Sequence, residues 1–190
     1  MPGQIVYLLR HTTPAVEKGL IYGQTDLDVA DSFAEEVAEI QKILPHHREL
    51  PLYSSPLRRC QILAETLQGN PLRFDERLKE MHFGQWEMKR WEEIEAEKRK
   101  HWLENIETAS TPDGESNQAL QKRSLEFWEE LQSKNYAEVG LVTHYGVIQS
   151  LLAHLLHIPL AKAFRLDIGY GAVVRILIQE GQYFKIKFLR

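Results

Sequence analysis

The sequence has little cysteine and no excess of positive charge. Cys60 is the only cysteine among the 190 residues, which excludes an intrachain disulfide framework and any metal site built from several cysteines. The formal net charge is −4 at pH 7, so the chain has no general basic character for binding nucleic acid or an anionic bilayer. Any recognition of an anion must therefore be local.

Long apolar runs are also missing. The sequence contains no stretch of about 18 apolar residues, and its N-terminus has no basic region followed by an apolar core. We therefore expect neither export nor a membrane span, and the single cysteine favours a reducing cytoplasm as the location. Apolar residues make up 43% of the chain, and its length suits one domain over residues 1–190 with a sizeable core.

Short apolar runs alternate with amphipathic stretches along the first 157 residues. The runs predict four strands, at Gln4–Leu9, Leu52–Ser54, Leu72–Phe74 and Val139–Thr143. Apolar residues at helical spacing between and after these runs predict helices. The alternation predicts an α/β fold in which a mainly parallel sheet is covered by helices on both faces.

Two further segments extend this predicted fold. Ala172–Ile178 and Tyr183–Leu189 are typical of a closing hairpin, joined at Glu180 and Gly181, which would give the sheet an antiparallel edge. The charged stretch from Trp91 to Ile106 has a narrow apolar stripe and predicts a helix that covers the surface as a lid.

Two of the predicted strands end in a histidine. Arg10 and His11 follow the first strand, and His144 follows the Val139–Thr143 strand. Because ligands bind beyond the carboxyl ends of parallel strands, these residues are expected to share one site. A neutral imidazole can attack a phosphoryl group when its other nitrogen donates to a fixed acceptor, such as a backbone carbonyl near the strand end.

Attack on a phosphate monoester also needs cations and an acid. The charge that develops on the phosphoryl oxygens must be spread over several donors, for which Arg10, Arg59 and His144 are the candidates. The departing alkoxide needs a proton, which a carboxylic acid in a partly dry pocket can supply before it takes a proton from water. Glu80, in an aromatic segment, suits that role.

The segment after the second strand supplies one of these cations. Ser54 or Ser55 is expected to cap a helix that has Pro56 at an early position and Arg58 and Arg59 in its first turns. The helix dipole does not favour cationic side chains at this end, so a nearby anion explains them better.

Five ordered segments resemble the histidine phosphatase superfamily, also called phosphoglycerate mutase-like. They are Leu9–Thr12, Ser54–Arg59, Leu78–Glu87, Gly114–Ser116 and Thr143–His144. The resemblance implies a three-layer α/β/α sandwich, a phosphohistidine intermediate on His11, no metal and no cofactor. It also implies that Arg59 rather than Arg58 binds phosphate and that Glu80 is the acid and base.

The loop from Thr12 to Asp28 resembles that of α-ribazole phosphatases, which remove phosphate from a nucleotide-like precursor of cobalamin. The partner we expect is accordingly a small-molecule phosphomonoester. Residues expected to bind substrate or phosphate, besides the two arginines and His144, are Tyr22, Gly23, Gln24, Thr25 and Tyr145. The loop lacks the asparagine usual in mutases. Phosphatases for sugar phosphates or nucleotides, a phosphoglycerate mutase, and a non-catalytic phosphate-binding or scaffold domain remain alternatives.

Other polar residues are given structural roles. His46 and His47 follow a predicted helix end, and His154 and His157 lie on an apolar helix, so solvated or core positions explain these pairs better than a metal site. Glu115 is expected to cap the helix that begins just after it.

Overall fold

The computed structural model describes residues 3–44, 46–179 and 183–190. The strands are β1 (Gln4–Arg10), β2 (Leu52–Ser54), β3 (Leu72–Phe74), β4 (Glu138–Thr143), β5 (Val173–Gln179) and β6 (Tyr183–Phe188). The helices are α1 (Phe33–Ile43), α2 (Arg58–Leu67), α3 (Ala96–Glu104), α4 (Asn117–Ser133), α5 (Tyr145–Leu155) and α6 (Leu160–Ala163). Short 3₁₀ turns occupy Glu76–Leu78, Gly84–Trp86 and Trp91–Glu93.

The strands form one six-stranded sheet in the order β3-β2-β4-β1-β5-β6. Neighbours among β3, β2, β4 and β1 are parallel, whereas β5 runs antiparallel to both β1 and β6. This arrangement confirms the predicted mainly parallel sheet with an antiparallel edge. The predicted hairpin is present as β5 and β6, while Glu180 and Gly181 lie outside the described residues.

The sheet is the middle layer of three. Successive side chains of a strand point to opposite faces, and β1 follows this rule with an apolar residue on each side. Val6 and Leu8 belong to the core cluster that contains residues of α4 and α5. Tyr7 and Leu9 belong to the cluster that contains residues of α1 and α2. This double burial confirms the α/β/α sandwich and explains why the run is apolar at consecutive positions.

The start of α2 differs from the prediction. Neither Ser54 nor Ser55 caps the helix, and Pro56 precedes it, because Leu57 occupies the N-cap position. The side-chain oxygen of Asp26 instead accepts the backbone N–H of Arg58 at 2.7 Å. The cap comes from a loop that is distant in sequence, which a local pattern does not reveal.

The predicted single helix from Trp91 to Ile106 is wrong. Its chain forms the 3₁₀ turn Trp91–Glu93, an extended residue at Ile94 and the short helix α3. Trp91 and Trp102 pack edge to face with Trp86 at ring-centroid distances of 5.9 to 6.1 Å. The three tryptophans pack against one another from separate short elements, so the segment is held together without the continuous apolar stripe that a longer helix would need. All residues of α3 are at least partly exposed.

Within the described ranges, none of the helices has the length and apolar character that crossing a bilayer requires.

Candidate active site

The pairing of β1 with β4 brings the two strand-end histidines together. Arg10 and Thr143 are register partners in this parallel pair, and the backbone N–H of His11 donates to the carbonyl of Thr143 at 3.0 Å. The rings of His11 and His144 are both buried, and their centroids lie 5.1 Å apart. The expectation of one shared location at the carboxyl ends of two strands is therefore confirmed.

His11 is held with one nitrogen toward its own backbone. Its Nδ1 lies 2.7 Å from the carbonyl oxygen of Thr12, so Nδ1 carries the hydrogen and Nε2 keeps its lone pair. Arg59 donates to this Nε2 through its Nε at 3.3 Å. Burial, and next the Arg59 guanidinium, hold the pKa of His11 well below its ordinary value. A neutral ring whose Nε2 carries a lone pair and no hydrogen is the form that can act as a nucleophile.

Arg59 is a fully buried cation at the centre of the site. Its Nη2 donates to the carbonyl of Gly23 at 2.7 Å, and its Nη1 donates to the carbonyl of Thr25 at 3.0 Å. The same Nη2 lies 3.2 Å from Nδ1 of His144. These partners are all uncharged, so the positive charge of Arg59 is available to an anion.

Arg10 is a second cation of the site and lines the same cavity as His11. Its guanidinium lies 4.1 Å from the ring centroid of Tyr170 and 5.2 Å from that of Tyr145. Its Nη1 donates to the carbonyl of Ile168. The hydroxyl of Tyr22 hydrogen-bonds that of Tyr170, so aromatic side chains flank this second cation.

Glu80 is anchored at the first turn of α5. Its Oε1 accepts the backbone N–H of Met81 at 2.9 Å, and both carboxylate oxygens lie 3.2 Å from the backbone nitrogen of Gly146. A Cβ added at Gly146 would lie 2.5 Å from Oε1 of Glu80. Gly146, two residues after His144, therefore makes room for the carboxylate.

One cavity of about 220 Å³ contains Arg10, His11 and Glu80. The rest of its wall is largely aromatic and apolar, with two side-chain amides. These lining residues include Tyr22, Phe83, Trp102, Tyr145 and Phe164, with Asn117 and Gln149 as the amides. A larger depression of about 360 Å³, bordered by His46 and Tyr136, lies away from both strand-end histidines. The smaller cavity is the one that joins a strand-end histidine to an arginine and a glutamate.

The predicted binding residues of the first loop occupy two different places. Tyr22 lines the cavity. Gly23 and Thr25 hold Arg59 through their carbonyls, and the side chain of Gln24 donates to the carbonyl of Glu80 at 3.1 Å. Tyr145 lines the cavity as well. Direct contact with a substrate stays a prediction for all of these residues.

Glu87 organises this loop and was not singled out from the sequence. Its carboxylate accepts the backbone N–H groups of Gln24, Thr25 and Phe83 at 2.9, 2.6 and 3.1 Å, together with the hydroxyl of Thr25. Burial raises the pKa of Glu87, but these hydrogen bonds outweigh it and leave the pKa below its ordinary value. Its only signal in the sequence is its position in the segment that carries Glu80.

Arg123 supports Glu80 from the opposite direction. It donates to the carbonyl of Glu80 at 2.8 Å and pairs with Glu115 at 2.8 Å. Glu115 also accepts the backbone N–H of His82 at 2.9 Å. Its predicted role as a helix cap is wrong, because Ser116 caps α4 through the N–H of Ala119.

Arg58, in contrast, points away from the site. Its guanidinium pairs with Asp28 at 2.9 Å, and both side chains are half exposed. The choice of Arg59 over Arg58 as the cation of the site agrees with this geometry. His47 has its Nδ1 2.6 Å from the carbonyl of Leu67, a structural contact far from the strand ends.

Comparisons with known proteins agree with the arrangement. The sequence matches the profile of the histidine phosphatase superfamily (branch 1) over residues 6–189. It is 30% identical to a candidate phosphoserine phosphatase 2 of Hydrogenobacter thermophilus, over 97% of this chain and 94% of that protein. It is 32% identical to glucosyl-3-phosphoglycerate phosphatase of Mycolicibacterium vanbaalenii, over 80% of this chain and 74% of that protein.

Two further similarities concern a third substrate. The chain is 28% identical to adenosylcobalamin/α-ribazole phosphatase of Salmonella typhimurium, over 93% of this chain and 91% of that protein. The crystal structure of a candidate α-ribazole-5′-phosphate phosphatase of Escherichia coli superposes with a TM-score of 0.88 at 24% identity, over 98% of this chain and 96% of that one. The latter likeness concerns the fold alone.

Gly146→Ala is expected to displace the Glu80 carboxylate without unfolding the protein. Alanine is the better helix former, but its Cβ would lie 2.5 Å from Oε1 of Glu80 and 2.8 Å from Cδ2 of the buried Leu120. We expect the rate of aryl phosphate hydrolysis to fall at least about tenfold, because small misplacements of reacting groups are costly, and thermal unfolding checks that the variant still folds. Gly169→Ala is the control, since nothing lies within 4 Å of the added Cβ. Equal activity in the two variants would contradict the proposed steric conflict.

Glu87→Gln is expected to weaken phosphate binding through the loop. In the unmodified protein the backbone N–H groups of the loop donate to the Glu87 carboxylate. A glutamine amide has one oxygen fewer and turns hydrogens toward some of these N–H groups, so hydrogen bonds are lost. The loop carbonyls that accept from Arg59 should then shift. We expect the dissociation constant for orthovanadate to rise about tenfold. Glu129→Gln, on the exposed side of α4, changes the net charge equally. If both variants bind orthovanadate like the unmodified protein, Glu87 does not organise the anion site.

Proposed function

The chain belongs to branch 1 of the histidine phosphatase superfamily, and from this membership we propose that it hydrolyses α-ribazole 5′-phosphate through a phosphohistidine at His11. The enzyme class itself, a metal-independent phosphatase for phosphomonoesters, follows from the family and its relatives. The assignment of residues and of the substrate is our proposal. Its main support is the meeting of His11, Arg59 and His144 in one buried cluster beside Glu80.

In the first step, Nε2 of His11 attacks the phosphorus atom and the bond to the ester oxygen breaks. Glu80, in its protonated form, gives its proton to the departing alkoxide, so the leaving group is a neutral alcohol. The hydrogen bond from Nδ1 to the carbonyl of Thr12 supports the ring as Nε2 gives up its lone pair. The products of this step are phospho-His11, a Glu80 carboxylate and the alcohol.

In the second step, a water molecule attacks the phosphorus atom from the side that the alcohol has left. Glu80 now takes a proton from this water, the new bond from oxygen to phosphorus forms, and the bond to Nε2 of His11 breaks. Inorganic phosphate leaves, and both His11 and protonated Glu80 are restored. The cycle needs only water as co-reactant.

Arg10, Arg59 and His144 are proposed to bind the three nonbridging oxygens. As a neutral nucleophile, His11 is repelled less by a phosphate dianion than a carboxylate nucleophile would be. The phosphoryl oxygens nevertheless gain negative charge as the leaving group departs, and this charge needs donors. The buried guanidinium of Arg59 lies beside Nε2 of His11, which puts a cation next to the reacting atoms. Low dielectric surroundings strengthen this attraction.

The cavity wall favours a substrate with an uncharged, aromatic leaving group. Apart from His11, the basic and acidic side chains in the described lining are Arg10 and Glu80, and both belong to the proposed catalytic set. Phosphoserine carries an ammonium and a carboxylate, and glucosyl-3-phosphoglycerate carries a carboxylate, so each would need a further ionic partner. α-Ribazole 5′-phosphate presents a ribose and an aromatic base, which suit Phe83, Trp102 and Phe164.

His11→Ala is expected to abolish the reaction by removing the atom that forms the covalent bond. We expect release of phosphate from an aryl phosphate, measured with a chelator present, to fall at least about a thousandfold. Acid-labile phosphate should be trapped on the unmodified protein and be missing from the variant. His154→Ala, at an exposed histidine of α5, is the control and should retain both properties.

Two results would contradict this mechanism. Undiminished hydrolysis by His11→Ala would remove the proposed nucleophile. Saturable binding of an aryl phosphate by the unmodified protein, without hydrolysis or a trapped adduct, would indicate a non-catalytic phosphate-binding domain instead.

The substrate assignment predicts a preference that depends on Trp102. Among α-ribazole 5′-phosphate, phosphoserine and glucosyl-3-phosphoglycerate, we expect the first to have the highest kcat/KM. Trp102→Ala should lower this value about tenfold, since stacking of a base on an aromatic ring contributes roughly 1–3 kcal/mol. Leu103→Ala alters the exposed neighbour on α3 and should have little effect. Faster hydrolysis of phosphoserine by the unmodified protein would contradict the assignment.

A further inference from the structure

Buried polar groups contact the ring of His144 on the side away from Arg59. Ser55, Cys60 and His144 are each 0% exposed. Nε2 of His144 lies 2.8 Å from the hydroxyl oxygen of Ser55 and 3.4 Å from the sulfur of Cys60. The proposed mechanism uses neither Ser55 nor Cys60, although buried polar side chains so close to a reacting group need an explanation.

The partners of His144 determine which nitrogen carries the hydrogen. Arg59 can only donate, because a guanidinium has no acceptor, and its Nη2 lies 3.2 Å from Nδ1 of His144. Nδ1 therefore accepts. In a neutral ring the hydrogen is then on Nε2, which donates to the hydroxyl oxygen of Ser55.

The hydroxyl oxygen of Ser55 has a second donor besides His144. It also accepts the backbone N–H of Leu57 at 3.3 Å, so both of its lone pairs are used. The Cys60 thiol has its own acceptor, the carbonyl of Thr143 at 3.5 Å. The hydroxyl oxygen of Ser55 therefore acts as an acceptor toward Nε2 of His144.

We propose that Ser55 is a positioning residue that fixes the tautomer and the orientation of His144, so that Nδ1 faces the phosphoryl site. The inference rests on the proposed function, in which His144 binds a phosphoryl oxygen. Ser55 accepts from Nε2 whether the ring is neutral or has taken a proton on Nδ1 to donate to the anion. One contact therefore serves both states of the ring.

Ser54, the last residue of β2, provides a matched comparison next to Ser55. It is also 0% exposed, but its hydroxyl donates to the backbone carbonyl of Ser55 at 2.9 Å. Ser54→Ala and Ser55→Ala remove the same atom from adjacent buried positions. A difference between them reflects the contacts of the Ser55 hydroxyl with His144 and with the backbone N–H of Leu57, so the tautomer of His144 has to be measured together with the kinetics.

The first measurement needs no substitution. In ¹H–¹⁵N correlation spectra of the unmodified protein without ligand, His144 is expected to be neutral with its hydrogen on Nε2. A ring that carries its hydrogen on Nδ1 would overturn the proposal, even if Ser55→Ala did not fold.

The second measurement compares the two serine variants. We expect Ser55→Ala to lower kcat/KM for an aryl phosphate about tenfold and to give a mixture of His144 tautomers. Ser54→Ala should change neither quantity, and thermal unfolding of both variants checks that they fold. Equal kinetics and equal spectra in the two variants would overturn the role of Ser55.

His144→Ala separates this inference from the proposed function. Full activity in His144→Ala would remove His144 from the phosphate site, and the proposed residue assignment would fail with it. A large loss in His144→Ala, combined with unchanged kinetics in Ser55→Ala, would leave the assignment intact and overturn only the positioning role.

Discussion

A positive charge that is removed from water organises this site. The guanidinium of Arg59 is 0% exposed, and its partners are the carbonyls of Gly23 and Thr25 and the rings of His11 and His144. Burying a cation costs several kcal/mol, and neutral acceptors offset this cost only in part. A dianion bound here would complete the solvation of Arg59, so the unfavourable burial of the charge favours occupation of the site.

The same charge influences both imidazoles. Burial and then Arg59 lower the pKa of His11 and of His144, which keeps the rings neutral in the free protein. A neutral His11 is what nucleophilic attack requires. A cation beside the proposed nucleophile thus has two consequences that do not conflict: it keeps the lone pair of Nε2 free of a proton, and it would attract the phosphoryl group that this lone pair is proposed to attack.

The sequence predicted the parts of the site that depend on strand ends. His11 and His144 follow apolar runs, and the parallel pairing of β1 with β4 was enough to bring them together. Arg59 came from a family resemblance, since the helix pattern alone left it equivalent to Arg58. Glu87 and Arg123 were missed because their partners are mainly backbone groups. Such partners leave no signature in side-chain type or spacing.

The residues proposed to carry out the reaction and the residue proposed to determine substrate preference lie on different elements of the fold. His11, His144 and Arg59 come from strand ends and the first turn of α2, and all three are buried. Trp102 comes from α3, whose residues are at least partly exposed, and it packs on Trp86 and Trp91. Changes in an exposed segment cost little stability. The part of the cavity wall that α3 supplies can therefore vary while the cation and the histidines stay in place, which is consistent with relatives at about 30% identity that are named for three different phosphomonoesters.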